Sequence, residues 1–109
     1  MYNLLSELQV EEGVQINQSS KIYKHNGVIS VYLQFTLTQS FTKQDVLFTF
    51  SNKLRGQLSY LEAPCFIHAP DTFIGFLRFQ FTANNVQPND QTMSTGEYRM
   101  SCTYLASND

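Results

Sequence analysis

Residues 28–38 are the part of this chain that most restricts its possible folds. The odd positions from 29 to 37 carry aliphatic or aromatic side chains, and the even positions from Ser30 onward carry Ser, Tyr, Gln and Thr. Successive side chains of a strand point to opposite faces of a sheet, whereas a helix would spread these apolar side chains around its circumference. The pattern therefore predicts a long strand with one buried face and one partly solvated face.

A turn directly precedes this strand. Asn26 and Gly27 both tolerate positive φ, which makes this dipeptide the strongest short-range signal for a two-residue hairpin turn. Residues 21–25 can then form the first arm. The segment 21–38 is therefore predicted to be an antiparallel hairpin.

Further short apolar segments follow, separated by turn residues. We expect strands near residues 14–16, 45–50, 58–62, 65–68, 73–82 and 97–105, and a long polar loop over 87–95. Pro64 and Pro70 bracket residues 65–68, and this strand is predicted at a sheet edge because proline cannot donate to a ladder. About seven or eight strands with almost no helical pattern indicate an antiparallel sandwich or barrel. We predict an all-β, antiparallel β-sandwich or jelly-roll-like domain.

Length and composition set the domain organisation and exclude some partners. The 109 residues fit a single domain, with residues 1–12 as an N-terminal segment. The net charge is −2 and the seven basic residues are scattered, whereas a nucleic-acid-binding protein needs a basic stripe. No apolar run approaches the roughly 20 residues of a membrane span, and residues 1–7 lack the pattern of a signal peptide. We predict neither a nucleic-acid partner nor membrane insertion.

The two cysteines are predicted to be small buried thiols. Cys65 has the same strand parity as Ile67, and Cys102 has the same parity as Met100 and Tyr104. Free cysteine is among the most buried residue types. A disulfide between them stays open at this point, because its formation depends on the Cα separation.

The chain carries no recognisable catalytic or metal-binding motif. His25 and His68 are its only histidines, and neither has a second ligand at metal-binding spacing. Glu11 and Glu12 are adjacent, so on a strand their carboxylates would point to opposite faces and would make a poor acid/base pair. Nucleophile-elbow and phosphate-loop motifs are also lacking. We therefore predict that the protein is not an enzyme, with no catalytic residues, no metal and no other cofactor.

The predicted strand over residues 73–82 carries apolar side chains on both faces. Phe73, Leu77, Phe79 and Phe81 share the face expected to be buried, and Ile74, Phe76, Arg78 and Gln80 share the other. Tyr32 and Phe66 likewise lie opposite the apolar side of their strands. Three interpretations stay open for this second face. It is a second core under a long loop, an oligomer interface, where aromatic residues and Arg are enriched, or an exposed ligand site.

A ligand site of this composition would suit a sugar. An aromatic ring stacks on the C–H face of a sugar while nearby polar groups bind the hydroxyls. The candidate ligand-binding residues are Tyr32, Phe66, His68, Asp71, Phe76 and Arg78.

Five segments, read in order, carry a resemblance to a known family. They are residues 23–28, which lead into the Gly turn, the alternating run 33–38, residues 47–50, residues 79–85 with their Asn-Asn turn, and the Gly-led final strand 96–105. In this order the chain resembles, over roughly residues 20–106, a domain of siphophages that infect Gram-positive bacteria. The domain occurs in tail and baseplate proteins, including upper-baseplate and receptor-binding proteins.

The resemblance implies a β-sandwich or jelly roll that is often assembled as a trimer and that, in some members, binds host cell-wall saccharide. It carries no saccharide-binding residue over to a position of this chain. We therefore expect a non-enzymatic virion component of the tail or baseplate, assembled in the host cytoplasm, that is structural or binds a host saccharide receptor. The expected partners are further copies of the chain, with a homotrimer favoured, other tail or baseplate proteins, and saccharide. A free-standing carbohydrate-binding module is the alternative.

Overall fold

Ten β-strands form one antiparallel sheet in the computed structural model, which describes residues 2–107. The strands are β1 (Tyr2–Asn3), β2 (Leu8–Val10), β3 (Val14–Ile16), β4 (Lys21–His25), β5 (Val28–Leu37), β6 (Phe48–Phe50), β7 (Tyr60–Ile67), β8 (Thr72–Gln80), β9 (Asn85–Pro88) and β10 (Gly96–Leu105). Two short 3₁₀ helices, Leu5–Glu7 and Asn52–Leu54, are the only helical segments within these residues. The predicted all-β, antiparallel class is confirmed.

The sheet curls until its two ends nearly meet. Its hydrogen-bonded order is β1-β4-β5-β10-β7-β8-β9-β6-β2, and β3 pairs with the end of β5 that β4 does not reach. The strands β2 and β3 are consecutive in sequence, and in the turn between them Val14 N–H donates to Glu11 O at 3.1 Å. The path from β3 through β5 round to β2 therefore returns to its starting point, and the sheet is nearly closed into a barrel.

The strand β5 has the alternation expected from its sequence. Its inward side chains are Ile29, Val31, Leu33, Phe35 and Leu37, none more than 4% exposed. Asn26 and Gly27 form the turn before it with φ values of 52° and 77°. Since β4 pairs with β5 over its whole length, the predicted hairpin is confirmed.

Side chains from most of the strands and from several connections fill the interior. Phe35 meets Phe48 edge to face at 5.2 Å between ring centroids and stacks with Tyr98 at 5.8 Å. Phe41 and Met93 are also buried, and their backbones exchange hydrogen bonds of 2.9 and 2.8 Å. The segment 87–95, predicted as a long polar loop, therefore adds Met93 to the core, opposite Phe41 from the segment after β5.

The predicted edge strand at residues 65–68 is wrong. Residues 60–67 form one continuous strand, β7, that contains Pro64. This strand is internal to the sheet, because β8 pairs with its whole length and β10 pairs with residues 65–67. Pro64 has no N–H to donate. It is tolerated because the ladder with β10 ends at the neighbouring residue, Cys65.

A β-bulge decides which side chains of β8 face the core. Cys65 pairs with Gly75 and Phe66 pairs with Phe73, which leaves Ile74 without a partner on β7. The extra residue reverses the alternation at this end of the strand. Ile74 packs against the core, whereas Phe73 is 51% exposed. The predicted faces of Phe73 and Ile74 are therefore wrong.

The two thiols are both free, with Cys65 buried and Cys102 partly buried. Burial raises the pKa of each thiol to about 12. Both groups are therefore protonated at neutral pH, and a protonated thiol is a poor nucleophile. This arrangement confirms the small buried thiol predicted for Cys65 and places Cys102 at the margin of the core.

Candidate functional site

Three phenylalanines form a half-exposed group on the outer face of β7 and β8. The ring centroids of Phe66 and Phe73 are 5.6 Å apart and those of Phe73 and Phe76 are 5.3 Å apart, both edge to face. Phe73 and Phe76 are 51% and 40% exposed. The bulge at Ile74 produces this group because it turns Phe73 outward beside the other two rings. These three phenylalanines are the outer aromatic cluster.

An ion pair lies against one side of the outer aromatic cluster. The guanidinium carbon of Arg99 is 4.5 Å from the centroid of the Phe66 ring. Arg99 Nε donates to Asp71 Oδ1 at 2.9 Å, and Nη2 lies 2.8 Å from Oδ2. Two parallel charge-assisted hydrogen bonds are the strong geometry for such a pair. They hold the guanidinium over the ring.

The ion pair changes the titration of both partners. The hydrogen bond from Arg99 is the largest influence on Asp71 and lowers the pKa of its carboxyl group. The same hydrogen bond raises the pKa of the Arg99 guanidinium. Both groups are therefore charged at neutral pH, and the contact would weaken only as the carboxylate is protonated in acid.

The outer aromatic cluster is one end of a row of side chains that crosses four strands. The strand register aligns Gln34 of β5, Arg99 of β10, Phe66 of β7 and Phe73 of β8. At the β5 end, Gln34 Nε2 donates to Glu97 Oε2 at 2.7 Å. Along this row the outer face is therefore apolar at β7 and β8 and polar at β5 and β10, which is the arrangement of an interface core beside its rim.

The structure brings together only some of the residues selected from the sequence. Phe66 and Phe76 belong to the outer aromatic cluster, and Asp71 lies beside it through Arg99. Arg78 follows Phe76 along the outer face of β8, but its guanidinium carbon lies 4.5 Å from the centroid of the Tyr60 ring. Arg78 is therefore held by a different aromatic partner.

His68 and Tyr32 lie outside the outer aromatic cluster but near its ion pair, because His68 contributes to the lowered pKa of Asp71 and Tyr32 contributes to the raised pKa of Arg99. The backbone N–H of His68 donates to Glu97 O at 2.9 Å, and its Nδ1 is buried with no hydrogen-bond partner in the described part of the chain. Tyr32 lies on the outer face of β5, with its hydroxyl 3.5 Å from Gln34 Oε1. It lines a shallow depression of about 250 Å³ between β4, β5 and β10.

This depression is a second candidate site. Its lining includes two tyrosines, one ammonium group and three aliphatic hydroxyl groups, from Lys21, Tyr23, Ser30, Tyr32, Ser101 and Thr103. Aromatic rings beside hydrogen-bonding groups are the combination that suits a sugar.

Sequence reasoning missed Phe73 and Arg99 at the first site and, in the depression, every lining residue except Tyr32. Phe73 was assigned to the core face, although Gly75 inside the same strand was a signal for a bulge. Tyr23 and Arg99 carry no local signal, because their positions depend on which strands become neighbours. Arg99 meets Asp71 only because β10 pairs with the end of β7.

The described residues hold neither a metal-binding cluster nor a membrane-spanning helix. No group of three or more His, Cys, Asp or Glu side chains within residues 2–107 is placed to hold a metal ion. Over the same range no helix is long and apolar enough to cross a membrane. Compared with known proteins, the chain matches no family model and no curated protein at a significant level.

Proposed function

We propose that this protein is a non-enzymatic structural module of a phage tail or baseplate that associates with further copies of itself through the outer aromatic cluster. The observation that carries the proposal is the exposure of Phe73 and Phe76 beside the fixed pair of Arg99 and Asp71. Exposed apolar patches with a polar margin are typical of protein interfaces. The resemblance of residues 20–106 supports the virion as the location, other tail or baseplate proteins as partners and a homotrimer as the assembly. We also propose that the curled sheet is a β-sandwich or jelly roll of the kind found in this family.

The chemistry of this surface favours a protein partner over a sugar. The phenylalanine rings carry no polar group, and Phe73 packs edge to face with both neighbours. Arg99 and Asp71 already satisfy each other, so few free hydrogen-bonding groups remain for hydroxyls. Aromatic residues and arginine are also the residues that contribute most binding energy at protein interfaces.

The substitution Phe73→Ser tests the association. A central aromatic residue contributes about 2 kcal/mol or more to an interface, so we expect the dissociation constant of the oligomer to rise by roughly thirtyfold. Sedimentation equilibrium measures this change directly. The matched control is Val10→Ser on β2, which removes an apolar side chain that is 42% exposed outside the outer aromatic cluster and should leave association unchanged. A wild-type protein that stays monomeric at micromolar concentration would contradict the proposal.

Saccharide binding is the second candidate function, and the depression lined by Tyr23 and Tyr32 favours it. It would serve either a receptor-binding virion protein or a free-standing carbohydrate-binding module. Titration with cell-wall saccharide fragments should shift the NMR signals of Ser30 and Ser101, and Tyr32→Ala should remove the shifts because one of the two rings is lost. Phe76→Ala, which changes an exposed ring outside the depression, is the control. If a glycan array shows no bound saccharide, self-association without saccharide binding is favoured.

A further inference from the structure

The most exposed apolar side chains of the protein lie in two separate places. Leu58, Leu105 and Phe73 are 68%, 56% and 51% exposed, the three largest values among the large hydrophobic residues that the structure describes. Phe73 belongs to the outer aromatic cluster, whereas the two leucines lie just before β7 and at the end of β10. Exposed apolar patches mark interaction sites. The protein therefore has two surfaces of this kind.

The two leucines line an apolar depression of about 270 Å³. Phe81 and Tyr104 line it on the core side, with ring centroids 4.8 Å apart. The Tyr104 hydroxyl donates to Leu54 O at 2.7 Å, and the backbone N–H of Gln57 donates to Leu105 O at 3.1 Å. These bonds fix the walls, and a binding site that is already formed has a smaller entropic cost of binding. This surface is the apolar depression.

The apolar depression suits one aromatic side chain of a protein partner. Residues 57–61 and 101–106 provide six of its seven lining residues and contain no charged side chain. An apolar group therefore enters without removing water from a charge. The volume is smaller than the roughly 300–1,000 Å³ of a typical small-molecule pocket. At protein interfaces, by contrast, the aromatic residues that contribute most binding energy lie in well-packed pockets.

The outer aromatic cluster has too little area to hold two copies together by pairing with itself. At about 200 Å² per phenylalanine, its three partly exposed rings offer only roughly 250 Å². A stable interface buries about 800 Å² on each partner. A contact between the cluster and the apolar depression is repeated by the symmetry of the assembly, so each copy contributes both surfaces. This pairing covers all three of the most exposed apolar side chains.

The two surfaces cannot meet within one chain. Phe66 of the outer aromatic cluster and Leu61 of the apolar depression are five residues apart on β7, which is about 17 Å at about 3.3 Å per residue. A ring of the cluster that fills the depression must therefore come from another molecule.

We propose that the apolar depression of one copy binds the outer aromatic cluster of a second copy, with Phe73 inserted between Leu58 and Leu105. This inference rests on the self-association proposed above and names the surface to which the cluster binds.

The double substitution Leu58→Ser, Leu105→Ser tests the contact from the side of the depression. It leaves the outer aromatic cluster intact, and we expect sedimentation equilibrium to show association weakened by at least about tenfold. Both leucines are largely exposed, so the thermal midpoint, measured where the chain is monomeric, should match that of the wild type. Leu58→Ser alone, outside any strand, should weaken association in the same direction by less.

A mixture of two variants gives a result that is specific to this contact. Phe73→Ser keeps an intact depression and the double variant keeps an intact cluster, so a mixed dimer has one contact with both sides unchanged. We expect native mass spectrometry of a 1:1 mixture to show mixed dimers at concentrations where each variant alone is monomeric. The control mixes Phe73→Ser with a chain that carries both Phe73→Ser and Val10→Ser, and it should show no mixed dimers.

The possible failures of this inference and of the proposed function are distinguishable. If the double variant associates as tightly as the wild type while Phe73→Ser does not, the cluster mediates association through another surface and this inference alone is overturned. It is also overturned if both variants are weakened and their mixture forms no mixed dimers. A wild-type protein that stays monomeric at micromolar concentration overturns both.

Discussion

Phe35→Ala should destabilise the protein by about 3–5 kcal/mol. Phe35 is fully buried, with the edge of Phe48 on one side and the stacked ring of Tyr98 on another. The strand β5 cannot move to fill the vacated space, because it is hydrogen-bonded to β10 on one side and to β3 on the other at this residue. Domains of this kind have about 5–15 kcal/mol of total stability. The expected destabilisation is therefore a large fraction of the free energy of unfolding.

Equilibrium unfolding in urea, followed by circular dichroism at a protein concentration low enough for the chain to be monomeric, measures this loss without a contribution from association. The control is Phe73→Ala, which truncates the same side chain where it is 51% exposed on the outer face. We expect the control to cost no more than about 1 kcal/mol, since substitutions away from the core have small effects. Equal losses for the two variants would mean that Phe73 is buried and that the bulge does not turn it outward.

The comparison of these two phenylalanines shows which parts of the fold are encoded locally. The alternation of residues 29–37 predicts the inward face of β5, because strand periodicity depends only on neighbours in sequence. The turn at Asn26 and Gly27 is predictable for the same reason. Phe73 has the same side chain as Phe35, but its direction depends on a bulge against β7 that simple alternation does not reveal.

The closure of the sheet and the candidate sites depend on contacts between distant residues. Pro64 indicated an edge strand, yet β7 is paired on both sides. Only the ladder with β10 would need the N–H that Pro64 lacks, and this ladder ends at Cys65. Phe66 and Phe76 occupy sequence positions opposite the expected buried face of their strands. This pattern identified them as two members of the outer aromatic cluster. The part played by Arg99 follows from the pairing of β10 with β7, and no sequence pattern near Arg99 specifies that pairing.

Gly75→Ala should lower stability by about 1–3 kcal/mol, the usual cost of a side chain in a backbone region that favours glycine. Gly75 has a φ of 135° in the bulged segment of β8. An added Cβ would lie 2.7 Å from Oε1 of Gln91, whose flexible side chain can move away at the cost of its 3.0 Å hydrogen bond to Phe76 O. The strained backbone is therefore the larger effect.

The same substitution should also weaken self-association, because the backbone can relieve its strain by giving up the bulge that turns Phe73 outward. Gly96→Ala is the matched control. Gly96 has a φ of 150° with no atom within 4 Å of an added Cβ, so it reports backbone strain away from the outer aromatic cluster. Urea unfolding should show losses of similar size for the two variants, whereas sedimentation equilibrium should show weaker association for Gly75→Ala alone. If Gly75→Ala loses stability as expected but associates as tightly as the wild type, the bulge is not needed for self-association.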